Sequence, residues 1–122
     1  MAGNFAPAQN SMEIAHQGHP FSLLFAQQIL TGDGAITLES GIVMLTKATP
    51  AAVTIAPPDR DGQFLWIVTT TAQAHVVTQS TVGFNAKGAS GTATWAAAIG
   101  NGLLLVSYNG NWYAGAFGVT IA

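Results

Sequence analysis

Only eight side chains in this 122-residue chain are Asp, Glu, Lys or Arg, and that scarcity limits what it can fold into more than any other feature. Such residues fill about 25% of positions in an ordinary soluble domain; here they fill 7%. Charge normally keeps a folded surface in water and apart from its neighbours. With a formal net charge of −2 and 49% hydrophobic residues, the exterior has to be built from Thr, Ser, Gln, Asn, Gly and Ala. Such a surface loses little hydration when it is covered, so the expectation is a domain that packs against other proteins. The same scarcity narrows function. Lys47, Arg60 and Lys87 are the only basic residues and lie far apart in sequence. They make no positive patch for phosphates, and no nucleic-acid partner is expected. Cysteine is absent, which removes disulfides, thiolate metal sites and thiol nucleophiles.

The length fits one domain. The apolar stretch Phe21 to Leu30 is too short to span a bilayer and is broken by Gln27 and Gln28, so no membrane partner is expected. No basic segment precedes an apolar run near the N-terminus. That argues against a secretory signal and for assembly in the cytoplasm. Residues 1–31 show no strand alternation and read as an extended or short helical arm. Their apolar members Phe21, Leu23, Leu24, Phe25, Ile29 and Leu30 need a dry partner, and form a candidate docking interface.

Residues 32–122 read as a β-domain. Short β-prone runs recur at Ala35–Leu38, Ile42–Thr46, Val53–Ala56, Phe64–Thr71, Ala74–Gln79, Thr92–Ala96, Leu103–Tyr108, Asn111–Gly115 and Val119–Ile121, separated by Gly, Pro, Asn and Asp. This spacing predicts a compact all-β fold, an antiparallel sandwich or jelly-roll-like barrel of eight or nine short strands. Asn109-Gly110 is the sharpest local signal, since it suits the two positive-φ positions of a tight hairpin joining Leu103–Tyr108 to the strand from Asn111. Ala96-Ala97-Ala98 fits a strand end or a turn of helix equally well.

No residue cluster announces chemistry. His16 and His19 have the spacing of two metal ligands on a helix, but Gly18 and Pro20 oppose a helix and only Glu13 stands nearby as a third ligand. Asp59-Arg60-Asp61-Gly62 opens like a calcium loop, yet Thr70 occupies the position where a bidentate acid is required, so a turn is the better reading. His75 lies in an apolar run and reads as a partly buried or interfacial histidine. Nucleophile-elbow and phosphate-loop patterns are both incomplete. No catalytic residue, cofactor or metal is expected, and the chain is read as no enzyme. Trp66, Trp95 and Trp112 could stack on sugar rings, but each lies in a predicted strand where a core or interface is the simpler use of a large ring.

From Ile36 to Ile121 the chain resembles small β-rich virion proteins of tailed phages, the capsid decoration (cement) and head-fibre proteins. The residues that carry the likeness are Ile36-Thr-Leu38, Leu45-Thr-Lys-Ala48, Ala52-Val-Thr-Ile-Ala-Pro57, Asp61-Gly62 and the run from Thr69 to Thr78. Phe84-Asn85, Ala98-Ile-Gly-Asn-Gly-Leu103, Tyr108-Asn-Gly-Asn-Trp-Tyr113 and Gly118-Val-Thr120 complete it. These are strand and turn patterns, and they leave residues 1–31 outside. The resemblance implies a homotrimer on the outer surface of the phage head that bridges neighbouring major capsid proteins. Its alternative is a trimeric fibre tip that binds a receptor or carbohydrate.

Overall fold

The computed structural model describes residues 24–122, which form ten strands and no helix. In chain order these are β1 (Gln27–Leu30), β2 (Gly34–Ile36), β3 (Gly41–Leu45), β4 (Ala52–Ile55), β5 (Phe64–Thr69), β6 (Val76–Gln79), β7 (Gly91–Trp95), β8 (Gly102–Tyr108), β9 (Asn111–Phe117) and β10 (Val119–Ile121). A front sheet has the order β1-β3-β5-β8-β9 and a back sheet the order β10-β7-β6-β4-β2. They face one another as a sandwich, and the barrel alternative is not what forms.

The first six strands alternate between the two sheets. Within each sheet they pair in parallel: β1 with β3 and β3 with β5 in front, β2 with β4 and β4 with β6 behind. Each front–back pair is thus one coil of a flattened solenoid, wound three times. The second and third coils stack 24 residues apart, with Ile42 beside Trp66 and Ala52 beside Val76. The expected all-antiparallel arrangement therefore needs correction, since antiparallel pairing begins only where β8 joins β5 and β7 joins β6. The physical reason is simple. Side chains alternate with period two in both arrangements, and a turn that crosses between sheets uses the same Gly, Pro and Asp as a hairpin. Parallel neighbours need a crossover connection, and here the crossover is a strand of the opposite sheet.

The core lies between the sheets. Val43, Leu45, Val53, Leu65, Ile67, Val77, Ala93, Leu103 and Leu105 are fully buried or nearly so, with Trp95 beside His75 at the start of β6 and Phe84 and Trp112 at the other end, near Ala56 beyond β4. Each large aliphatic side chain there contributes roughly 1.5–3 kcal/mol. The indole N–H groups are satisfied: Trp95 Nε1 donates to the Asn101 carbonyl at 2.9 Å and Trp112 Nε1 to that of Ala56 at 2.9 Å.

Strand bounds agree with the sequence reading to within a residue or two, and β1 is added from the segment read as an arm. Gln27–Leu30 takes the extended form and is the front sheet's edge, so the sandwich begins before residue 32. The hairpin forms as expected: Tyr108 pairs with Asn111, and Asn109 and Gly110 have φ of 51° and 79°. Gly110→Val should lower stability by about 1 kcal/mol, since a side chain disfavours this left-handed conformation. In urea the unfolding midpoint should fall while the slope stays unchanged; an unaltered midpoint would contradict the turn assignment.

Candidate functional site

Three front-sheet strands read as continuous apolar runs: Ile42-Val-Met-Leu45 in β3, Phe64-Leu-Trp-Ile-Val68 in β5 and Leu103-Leu-Leu-Val106 in β8. A strand with one wet face alternates; an unbroken apolar run is the pattern of a strand covered on both faces. One set of alternate residues fills the core. The other set projects outward and forms an apolar face with a regular layout. Gln27, Ile42, Trp66, Leu104 and Gly115 stand in one row across the sheet, Gln27 being its polar end, and Ile29, Met44, Val68, Gly102 and Phe117 in the next. Phe64, Val106 and Tyr113 make a third row, with the Phe25 ring 6.1 Å from that of Phe64.

Trp66 is the centre of this face. Its ring covers Gly102 so closely that a Cβ there would lie 2.5 Å from Trp66 Cη2, so only glycine lets the indole lie down. Phe117 meets the same ring edge-on at 5.7 Å between centroids. The two rings hold one another in place. Among the described residues, more aromatics sit on or beside this outer face (Phe25, Phe64, Trp66, Tyr108, Tyr113, Phe117) than in the core (Phe84, Trp95, Trp112). Several are open to solvent: Phe25 is 49% exposed, Phe117 56% and Tyr108 62%.

The back sheet differs. Thr54, Thr78 and Thr92 stand in register across β4, β6 and β7, and Thr94 pairs with Thr120. Its outer face is lined with hydroxyls that can bond water. Among the described residues no strand carries Asp, Glu, Lys or Arg; these all lie in the connecting turns. Asp33 accepts from Lys47 Nζ at 2.8 Å and from the Ala52 N–H at 2.9 Å. The Lys47 bond first, and the Ala52 bond second, hold its carboxyl below the ordinary value. Arg60 pairs with Glu39 at 2.7 Å and with Asp59 at 3.5 Å.

The residues singled out from sequence are dispersed. Phe21, Leu23, Glu13, His16 and His19 lie outside the described residues. Leu24 is 89% exposed; Phe25 and Ile29 join the outer face, while Leu30 turns inward against the core. Trp95 and Trp112 are buried in the core, which leaves Trp66 as the one tryptophan on a surface. The Asp59–Gly62 segment is a turn: Asp61 Oδ1 accepts from the Asn109 N–H at 2.8 Å, which braces the β8–β9 hairpin. Thr70 Oγ1 turns to the Leu45 carbonyl at 3.4 Å. Among the described residues no group of three His, Asp or Glu is placed to hold a metal. An open groove of about 810 Å³ runs beside Ile36, Leu38, Ile55 and Pro57, with Glu39 and Asp59 at its rim. Trp112 lines its floor but is only 2% exposed and offers no ring face.

His75 is wholly buried and belongs to a network that periodicity alone did not show. Its Nδ1 accepts from the Ala51 N–H at 3.0 Å, which places the proton on Nε2, 3.0 Å from both Thr69 Oγ1 and Thr71 Oγ1. Gln79, 1% exposed, was also missed. Its Oε1 accepts from the N–H groups of Thr81, Val82 and Gly83 at 2.9, 2.6 and 2.8 Å. Gln63 holds the Asp59 and Arg60 N–H groups in the same way, and Gln28 those of Thr37 and Leu38. The available signal was a glutamine at the inward parity of a strand, as at Gln28 and Gln79. Comparison of the chain with protein-family models, with curated proteins and with solved structures gives no significant match.

Proposed function

We propose that this chain is a structural virion protein, a decoration (cement) protein that forms homotrimers on the outside of a tailed-phage head and bridges neighbouring major capsid proteins. The observation that carries this is the outer face of the front sheet, a broad apolar surface with pre-set aromatic anchors and no charged side chain. An apolar patch of this size marks a contact surface in a soluble protein. Its work is mechanical: area buried across the seams of a shell resists the outward pressure of packaged genome. The role requires no catalytic group or cofactor.

The test is attachment. Purified protein added to phage heads lacking decoration should co-sediment with them and raise the temperature at which they release DNA. Protein found only at a tail tip, or heads whose stability it leaves unchanged, would end this reading. The second reading, a carbohydrate-binding fibre tip, is favoured by Trp66 alone, the one tryptophan on a surface. Glycan-array binding at micromolar protein that is lost in Trp66→Ala would support it in place of the first.

A further inference from the structure

We infer that the outer face of the front sheet is where copies of this chain meet, with Trp66 and Phe117 as the anchors of the contact. This rests on the assembling role proposed above and assigns that role a surface and a partner. The face dictates the chemistry of what covers it. An occupant bearing Lys, Arg, Asp or Glu would bury charge with nothing to pair it, since the face supplies no counter-ion. The chain's own front face meets the requirement: it is apolar, equally large and uncharged.

Relief on the face also suits self-contact. Phe117, 56% exposed, stands out from the face, Trp66 lies flat over Gly102, and Gly115 beside Leu104 leaves a low point in the row that also holds Trp66. Around a three-fold axis three copies of such a face can meet, the raised part of one against the low part of the next. The size is adequate. Five strands spaced about 4.8 Å apart and some six residues long project roughly 450–500 Å². Accessible area on a side-chain-bearing face exceeds its projection, which brings each partner to the order of the ~800 Å² of a stable contact. Electrostatics offer little resistance, because the charged side chains among the described residues sit in turns off the face and the formal net charge is only −2 per copy.

Sedimentation of the intact chain together with Trp66→Glu tests the inference. The wild type should run at a multiple of one chain's mass at micromolar concentration. Trp66→Glu should associate about 30-fold more weakly or worse, as expected for loss of an interface anchor, with its β-sheet circular dichroism retained. Thr94→Glu on the back sheet should leave association unchanged. If Trp66→Glu does not fold, acrylamide quenching of the wild type decides. Trp95 and Trp112 are buried, so quenching reports Trp66 and should fall as concentration rises. A wild type that stays a single chain at every concentration, or an oligomer indifferent to Trp66→Glu with unshielded Trp66, overturns the inference. A single chain that attaches to heads through Trp66 would overturn it while leaving the decoration role intact. An oligomer held by this face that ignores phage heads would do the reverse.

Discussion

Gln79→Leu is expected to destabilise the protein by on the order of 3 kcal/mol or more, although leucine matches glutamine in size and prefers the interior. The reason lies in what the side chain satisfies. Its oxygen is acceptor to three successive backbone N–H groups, and its Nε2 donates to the Ile55 carbonyl at 3.3 Å. The buried Gly83 N–H left without an acceptor costs about 1–3 kcal/mol; the part-buried Thr81 and Val82 N–H groups and the Ile55 carbonyl add to it, more in total than the apolar side chain regains. The damage should spread along the connection from β6 to β7. Gln79 starts the bend that returns Phe84 to the core, where it bridges Trp112 and the Asn85 N–H reaches the Trp112 carbonyl at 2.8 Å. Urea unfolding measures the loss, and hydrogen exchange at Thr81 to Gly83 should accelerate with it. A loss below about 1 kcal/mol would mean that water replaces the amide, and that this bend is set by other contacts.

Stability should fall as pH drops below about 6.5, through His75. Burial first, and the Lys47 charge second, hold the His75 imidazole below its model value of 6.5. The folded state thus binds fewer protons than the unfolded one. The stabilisation is complete above the unfolded value, declines as pH falls below it, and levels off once the folded value is passed. Protonation also turns Nδ1 into a donor facing the Ala51 N–H, which loses its acceptor at a cost on the order of 1–3 kcal/mol. Asp33 is lowered from 3.8 and acts in the same sense only at pH values below that. Between about pH 6 and 4.5 the slope should therefore vanish in His75→Gln. An identical slope in that variant would move the effect to another histidine.

Strands were legible because turn residues bracket them, and the Asn109-Gly110 hairpin because its backbone needs residues of that kind. Strand direction was not. Val53-Thr-Ile55 alternates identically whether its neighbour runs with it or against it; what sets direction is the path of the turns between sheets. The 24-residue offset is nevertheless written in the chain, since Glu39 to Pro57 stacks on Gln63 to Thr81. Leu45, Ala51 and Ile55 are matched there by Thr69, His75 and Gln79, which bond back to the preceding coil. Polar replacements at inward positions hid the correspondence, because the hydrophobic pattern is not conserved from one coil to the next. The candidate face was half legible. Unbroken apolar runs distinguished β3, β5 and β8 from the alternating β4, β6 and β7, but periodicity does not say which parity points outward. Trp66 differs from Trp95 and Trp112 only in that parity.

The winding of the first six strands has an architectural consequence. A molecule built by stacking like turns can grow taller without being redesigned, because each added turn meets the same neighbour above and below as the one before it. Copying the segment 39–62 in tandem would raise the height by one strand spacing, about 4.8 Å. It would also widen the front face by one strand without touching either end of the stack. Reach and grip could then be adjusted together, in whole steps, by a single duplication.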